Sequence, residues 1–413
     1  MAPTTSAAGV VTFEQAIETV AGYCCTLGLP DTETVALPSA LGRVLAKPIT
    51  ADRDFPPFPR ATRDGYAVRA ADLQSLPAKL RVIGQIKAGG TFNGAVNSGE
   101  AVEIMTGAPV PPGADGVVMV EYTSPSVSQI DIQRGIKAGE NLVAPGAEAH
   151  AGDVLLASGT RISPAQIALA AAVGRAELAV YRKARVAVLA TGDELVDVSE
   201  APAPHQIRNT NSYSLCAQVT ESGGEPLQLP VAPDEQRKLT TLIHAGLNGA
   251  DLLLLSGGVS MGKYDLVEQA LSELGAQFFF TGALIQPGRP VVFGEIKKNS
   301  RTIPFFGLPG NPVSVMTTFD LFVRPVIDGL SGAAPRPLLG GRARLNKTFK
   351  TKTGLTRFLP AILSGGLYEP AVELVPWQGS GDLVAAGKAN CYLVVAPDRE
   401  LIPEGELVTV VPR

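Results

Sequence analysis

The sequence predicts a multidomain protein of class α/β plus β, in which one parallel α/β sheet domain is joined to β-rich domains. Three observations predict this. The chain has 413 residues, more than one hydrophobic core organises. Apolar residues make up 45% and charged residues 18%, the balance of a globular, core-rich chain rather than a disordered one. Buried-strand and helix signals alternate between about residues 185 and 330, whereas short strands punctuated by Gly and Pro dominate elsewhere.

Composition also excludes function classes. A net charge of −4 leaves no electrostatic footprint for nucleic acid, and no lysine block marks a membrane surface. Cys24, Cys25, Cys216 and Cys391 lack metal-ligand spacing and are expected to be free thiols in a reducing cytoplasm. With His150, His205 and His244 as the only histidines, a zinc site or histidine-based triad is not expected. The N-terminus has no basic region followed by an apolar one, and no uncharged apolar run is long enough to span a bilayer.

The elements follow in order. Thr12-Phe-Glu-Gln15 has capping-box form, and Phe13, Ile17, Val20 and Cys24 fall on one helical face that ends before Gly28 and Pro30. Residues 32–50 read as strand, short helix, strand. Asp54 to Val68 is a stiff proline-rich run ending at the Asp64-Gly65 turn; Arg60, Arg63 and Asp64 face a polar ligand there or form a solvated linker. Residues 80–150 read as all-β, with Thr106 at the mouth of a Pro/Gly loop, where a threonine usually caps backbone. Ser163-Pro-Ala-Gln166 starts an Ala-rich helix that stops at Gly174. Arg185–Ala190, Pro226–Val231, Leu252–Leu255, Phe278–Phe280, Pro290–Gly294 and Thr302–Phe306 then read as strands, separated by helices capped at Asn209–Ser212 and Asp234, and a long helix runs to Leu330. This alternation predicts a parallel sheet with right-handed crossovers. After the Gly332–Pro337 linker no helical period is visible, and alternating strands indicate a small β-barrel or sandwich.

Chemistry converges on three loops. The buried strands ending at residues 190, 255 and 306 run into Thr191-Gly-Asp-Glu194, Ser256-Gly-Gly-Val-Ser-Met-Gly-Lys-Tyr-Asp265 and Gly307-Leu-Pro-Gly-Asn-Pro312. On neighbouring parallel strands such loops share one sheet edge, where backbone N–H groups receive an anionic ligand. Neither a GxGxxG turn nor a Walker A motif is present, which disfavours an ordinary dinucleotide fold or P-loop enzyme. Asp193, Glu194, Asp234 and Asp265 lie at the loop ends, where carboxylates beside phosphate hold Mg²⁺ or cap helices; Asp234 suits capping. Arg289, in Gln286-Pro-Gly-Arg289, offers a fork to an oxyanion or sits on a surface turn.

Together, TGDEL, SGGVSMGKYD, QPGRPVVFG and LPGNPVSV, preceded by PPF…DGYAV and EIMTGAPVPPGADGVVMVE, resemble the molybdopterin molybdenumtransferase family, called MoeA in bacteria and similar to the gephyrin E domain. The likeness spans residues 10–410 in one order. It implies a cytoplasmic enzyme of molybdenum cofactor biosynthesis that takes adenylylated molybdopterin and molybdate, uses Mg²⁺ and releases AMP. It implies an elongated homodimer with a cleft shared between subunits, acting by positioning and charge neutralisation. The expected division is an N-terminal helix at 1–26 packing with the α/β domain, a hinge domain at 27–50 and 151–182, a β-rich domain at 51–150, a molybdopterin-binding α/β domain at 183–331 and a C-terminal β-barrel at 332–413. Expected partners are a second copy, the pterin substrate and a molybdopterin adenylyltransferase, with neither nucleic acid nor membrane.

Carried over by position, the resemblance implies catalytic roles for Asp64, Thr106, Glu194, Asp234 and Asp265, with Glu194, Asp234 and Asp265 as metal candidates. Ligand contacts are implied for Gly257, Gly258, Ser260, Pro309, Gly310, Pro312, Gln286, Arg289, Arg357 and Ser380, with Arg357 and Ser380 near molybdate. The chain departs from the family at Gln286-Pro-Gly-Arg289, where the family has KPGK, and at Arg60 and Arg63, which enter the loop before Asp64 and are expected to offset the charge lost at Gln286. Glu148 stands loosely where the family has an aspartate. A gephyrin-like scaffold without catalysis, an adenylyltransferase and a tungstate-using paralogue are the alternatives.

Overall fold

The computed structural model describes residues 9–258, 266–298 and 300–413. Helix Phe13–Cys24 opens with the expected capping box: Gln15 N donates to Thr12 Oγ1 and Thr12 N donates to Gln15 Oε1. Its Ala16, Val20, Tyr23 and Cys24 are buried in one cluster with Val186, Leu254 and Phe293, and the Tyr23 ring meets that of Phe293 edge-on at 5.3 Å. Strands Thr32–Ala36 and Glu177–Tyr181 pair antiparallel and, with Ile49–Thr50 and Val154–Leu156, enclose a small core of Leu45, Ile49, Ile162, Leu178 and Val180.

The proline-rich region forms a six-stranded sheet in the order Gly116–Met119, Gly65–Val68, Glu100–Ile104, Ala78–Ile86, Gln129–Ile132, Thr123–Pro125. Alternation along the strands feeds two cores, one on each face.

The second six-stranded sheet positions the site. Its order is Glu225–Gln228, Arg185–Ala190, Leu252–Ser256, Arg301–Leu308, Val292–Lys298, Gln277–Phe280. The first four strands are mutually parallel. Val292–Lys298 is antiparallel to both neighbours, which corrects the expectation of an all-parallel sheet. The reason is the connection: two residues separate it from Arg301–Leu308, and so short a link only reverses the chain, whereas a parallel neighbour needs a long crossover. All five residues of Leu252–Ser256 are buried, because helices cover both faces. Leu239, Ile243 and Leu247 of helix Gln236–Gly249 pack on one face, and Leu215 and Val219 of helix Asn211–Glu221 on the other. Asp234 does not cap the first of these helices. The N-cap is Glu235, with no side-chain cap bond, and the helix runs to Gly249.

The long helix after residue 311 is α-helical over Pro312–Thr318, a π-helical turn over Phe319–Val323 and α-helical again over Arg324–Leu330. In the π turn, Asp320 accepts from Arg324 at 2.7 Å, from Gln218 at 3.1 Å and from the Tyr392 hydroxyl at 3.1 Å. Burial pushes its carboxyl above the ordinary value, opposed by Arg324, Arg413 and these donors.

The C-terminal region is a closed five-stranded barrel: Thr356–Gly365, Pro370–Leu374, Gly341–Leu345, Leu407–Pro412 and Cys391–Val395, which returns to Thr356–Gly365. Ala343, Leu359, Ala361, Val372, Leu393 and Val410 fill it. A helix over Leu383–Lys388, capped by Asp382 accepting from Ala385 N at 3.0 Å, corrects the expectation of a purely β region. Six residues are too few to display a period in sequence.

Asp328, fully buried, joins distant stretches. It accepts from Arg161 at 2.6 Å and from Arg336 through both the side chain and the backbone N–H. Arg336 also reaches the Ser222 carbonyl at 3.2 Å. Removing the carboxylate leaves two guanidinium groups facing each other without their counter-ion. Asp328→Ala is therefore expected to lower stability by about 3 kcal/mol, read as a shift of the urea unfolding midpoint; an unshifted midpoint would show the network to be dispensable.

Candidate functional site

Parallel pairing brings the three predicted loops to one edge. Val188 is opposite Leu254, and Leu254 opposite Phe306, so the chain leaves all three strands on the same side. There Thr191 N donates to Ser256 O at 2.9 Å and Gly257 N to Leu308 O at 3.3 Å, extending the ladder into the turns. The edge opens into a cavity of about 830 Å³, lined by Glu194, Asp234, Gly257, Gly258, Gly310 and Pro312 among others. That is ample for a drug-sized or nucleotide-sized ligand.

Two glycines are required by geometry. Gly257 has φ +91°, and a Cβ there would lie 2.6 Å from the Thr191 carbonyl oxygen. Gly192 has φ +144°, and a Cβ would meet the Glu194 carboxylate at 2.5 Å, so glycine lets that carboxylate fold back over its own turn. Asp193 turns away from the ligand role read for its loop and accepts from Asp234 N at 3.1 Å, holding the two acidic turns together.

Asn211 ties the loops to one another. Its Nδ2 donates to Ser256 Oγ at 2.8 Å and to Gly310 O at 2.7 Å. A backbone carbonyl only accepts, so this contact fixes which end of the amide faces the loop. Asn211 Oδ1 and Thr191 Oγ1, on two cleft-lining residues, are buried without a protein partner. Asn209 closes the helix start by accepting from Ser212 N and donating to Ser212 Oγ. The sequence signal for this wall is the Asn209-Thr-Asn-Ser212 run, which reads as a helix cap alone; Gln206, Arg208 and Leu383 also line the cleft and carried no motif.

Other expected site residues lie elsewhere. Pro309 is buried beneath the cleft with its carbonyl 3.5 Å from Ser256 Oγ. Ser380 is at the margin, accepting from Asn311 Nδ2 at 2.8 Å while its carbonyl accepts from Val313 N. Gln286 and Arg357 are in-register neighbours on parallel strands at the barrel. Arg357 is 6% exposed, donates through Nε to Thr351 Oγ1, and keeps a buried Nη1 with no partner. Burial holds its guanidinium below the ordinary value. Arg289 is exposed on the same turn. Ser260 and Asp265 lie outside the described residues. Among the described residues no three or more His, Cys, Asp or Glu side chains group as metal ligands.

Asp64 and Thr106 form a separate pair in the proline-rich sheet, outside the cavity lining. Asp64 Oδ1 accepts from Thr106 Oγ1 at 2.7 Å and from Thr106 N at 2.6 Å. Arg60 beside them is bound to Glu148 at 2.8 Å, and Arg63 donates to the Thr62 carbonyl. Of the two arginines expected to offset Gln286, Arg63 alone has no carboxylate partner among the described residues. The Thr106 hydroxyl, and then its N–H, hold the Asp64 carboxyl below its ordinary value. With the folded value below the unfolded one, these bonds stabilise the turn above the ordinary aspartate range and are lost as pH falls through the depressed value. Thr106→Ala should move the Asp64 titration upward, followed by carbon-detected NMR; an unmoved titration would remove the hydroxyl as the cause.

Comparison with known proteins covers nearly the whole chain. Family models match for the MoeA N-terminal region (domain I and II) over residues 11–174, the "Probable molybdopterin binding domain" over 187–329, and the MoeA C-terminal region (domain IV) over 342–412. The chain is similar to the molybdopterin molybdenumtransferase of Bacillus subtilis (strain 168), 35% identical over 392 residues that cover 92% of this chain and 89% of the relative. A molybdopterin molybdenumtransferase of Haemophilus influenzae is 35% identical over 386 residues, covering 92% and 94%. The crystal structure of the molybdopterin biosynthesis moeA protein from Pyrococcus horikoshii OT3 superposes with TM-score 0.79 at 30% identity, covering 98% of this chain and 100% of that one.

Proposed function

Because the chain belongs to the molybdopterin molybdenumtransferase (MoeA) family, we propose that it acts in molybdenum cofactor biosynthesis as a transferase that inserts molybdate into adenylylated molybdopterin with release of AMP. The observation that carries this reading is the cleft at the ends of three adjacent parallel strands, with Glu194 and Asp234 in its wall. Backbone turns at Gly257-Gly258 and Gly310 let phosphate oxygens approach the main chain closely. Pro309 and Pro312 stiffen the third loop.

Glu194 and Asp234 are hard oxygen donors on one cleft, which suits Mg²⁺, an ion that keeps several of its waters and needs few protein ligands. Asp265 is the third candidate ligand. When bound, the ion would neutralise charge on phosphate oxygens. Molybdate, a substrate, is assigned to the barrel side, to Arg357, whose Nη1 has no partner, and to Gln286, opposite it in register, with Arg289 and Ser380 as its further contacts. Asp64 and Thr106 complete the site from a second copy of the chain, a reading supported by their position outside the cleft of their own subunit. The working unit is then a homodimer in the cytoplasm. The described helices include none long and apolar enough to cross a membrane, and all four cysteines are free.

Purified protein given adenylylated molybdopterin, Mg²⁺ and molybdate should release AMP only when molybdate is present. Release without molybdate would mark an adenylyl-transfer chemistry instead, and no release a binding protein. Glu194→Ala and Asp234→Ala should each lower turnover at least roughly 100-fold with the circular dichroism spectrum intact; full turnover would refute their roles. The mass in solution should be twice 42.9 kDa. Mixing Asp64→Ala with Glu194→Ala subunits should restore part of the lost turnover, since each mixed dimer keeps one complete site, and mixtures as inactive as the parents would rule out the shared cleft.

A further inference from the structure

Arg208 is the only lysine or arginine among the described residues that line the cleft, and the other charged lining residues, Glu194 and Asp234, are acidic. Its position is set by a short parallel ribbon in which Leu195 is opposite Ile207 and Val196 opposite Arg208. Ile207 N donates to the Glu194 carbonyl at 2.8 Å and Asn209 N to the Val196 carbonyl at 2.9 Å, so Arg208 is held at a fixed offset from Glu194.

The guanidinium is anchored at one end. Arg208 Nε donates to the carbonyls of Val198 and Glu200, each at 3.1 Å. Five N–H donors lie in one rigid plane, so fixing Nε–H fixes the direction of the terminal fork. The Nη groups have no partner among the described residues, and Arg208 stands in no ion pair there, whereas Arg60, Arg182, Arg301 and Arg336 all meet a carboxylate. Two further features mark the same cleft for a polar ligand. Thr191, 5% exposed, has a buried Oγ1 without a partner, and helix Asn211–Glu221 begins three residues after Arg208, presenting the positive end of its dipole.

A loop staple alone would use the Nε contacts and leave the fork to solvent. The cleft makes a second use available, because a ligand carrying phosphate charge enters beside two carboxylates and needs a counter-charge there. We propose that Arg208 grips a phosphate of the bound nucleotide through its terminal guanidinium fork and thereby sets the preference of the cleft for a phosphorylated ligand over a neutral nucleoside. The inference rests on the assignment of AMP as product; the test separates the two.

AMP and adenosine are titrated calorimetrically into wild-type protein, Arg208→Ala and Arg208→Lys, alongside the molybdate-dependent release of AMP by wild type. Loss of the fork should weaken AMP binding roughly 10- to 100-fold and leave adenosine unchanged. Arg208→Lys, which retains the charge, should recover part of the preference for AMP. Equal weakening of AMP and adenosine in Arg208→Ala would make Arg208 a staple only, and unchanged binding of both would remove any role; either overturns the proposal while AMP release by wild type stands. An Arg208→Lys protein identical to Arg208→Ala overturns it too. A wild type that releases no AMP speaks against the functional reading, whereas a wild type that binds AMP no better than adenosine speaks against Arg208.

Discussion

Parallel hydrogen bonding between Arg185–Ala190, Leu252–Ser256 and Arg301–Leu308 is the constraint on which the rest depends. Strands that run the same way must leave their loops at the same edge, and covering helices leave that edge open to ligand. The ladder alone would leave three independent turns. Asn211 removes that independence by donating to Ser256 Oγ and to the Gly310 carbonyl, so the floor, the third loop and a helix start are placed by one amide. The carboxylates of Glu194 and Asp234 inherit their positions from this frame, through Gly192 on one side and the Asp193 bridge on the other.

Much of this was legible in the sequence because the strong signals are local. A run such as Leu252–Leu255 followed by two glycines states both a buried strand and its end, and Thr12 with Gln15 states a helix start. What escaped depends on distance along the chain or on lengths too short to show a period. Val292–Lys298 opens on buried apolar residues as the parallel strands do, and only its two-residue link to the next strand fixes its direction. Asp234 occupies a position that suits a cap, yet Glu235 takes that place. Asn211 reads as part of a cap and is a tether between loops 45 and 99 residues away in sequence. Arg208 belongs to no motif, and only the folded ribbon brings it to the Glu194 wall. Motifs align Asp64 with Glu194, but they carry no information on whether one chain brings the two together.

Two carboxylates, Asp328 fully buried and Asp320 largely so, organise the long helix that carries the third loop. Asp328 near its end gathers Arg161 and Arg336. Asp320 in its π turn gathers Gln218 from the helix beside the cleft and Tyr392 from the barrel. A carboxylate taken out of water demands such partners, since an unpaired buried charge costs several kcal/mol. The demand works in both directions: charges that must be satisfied fix which surfaces meet, and the helix from Pro312 to Leu330 becomes the common element between the sheet, the stretch that carries Arg161 and the barrel.

The way the sheets end has a consequence for the chain in crowded solution. The five-stranded barrel closes on itself, so its strands present no free row of donors and acceptors to another molecule. One edge of each six-stranded sheet is formed by a strand containing a proline, Pro226 in Glu225–Gln228 and Pro125 in Thr123–Pro125. A proline has no N–H to offer an incoming strand. Growth by strand addition is thus closed off at the barrel and hindered at one edge of each of these two sheets, so the β-structure described does not by itself entail a tendency to form fibrils.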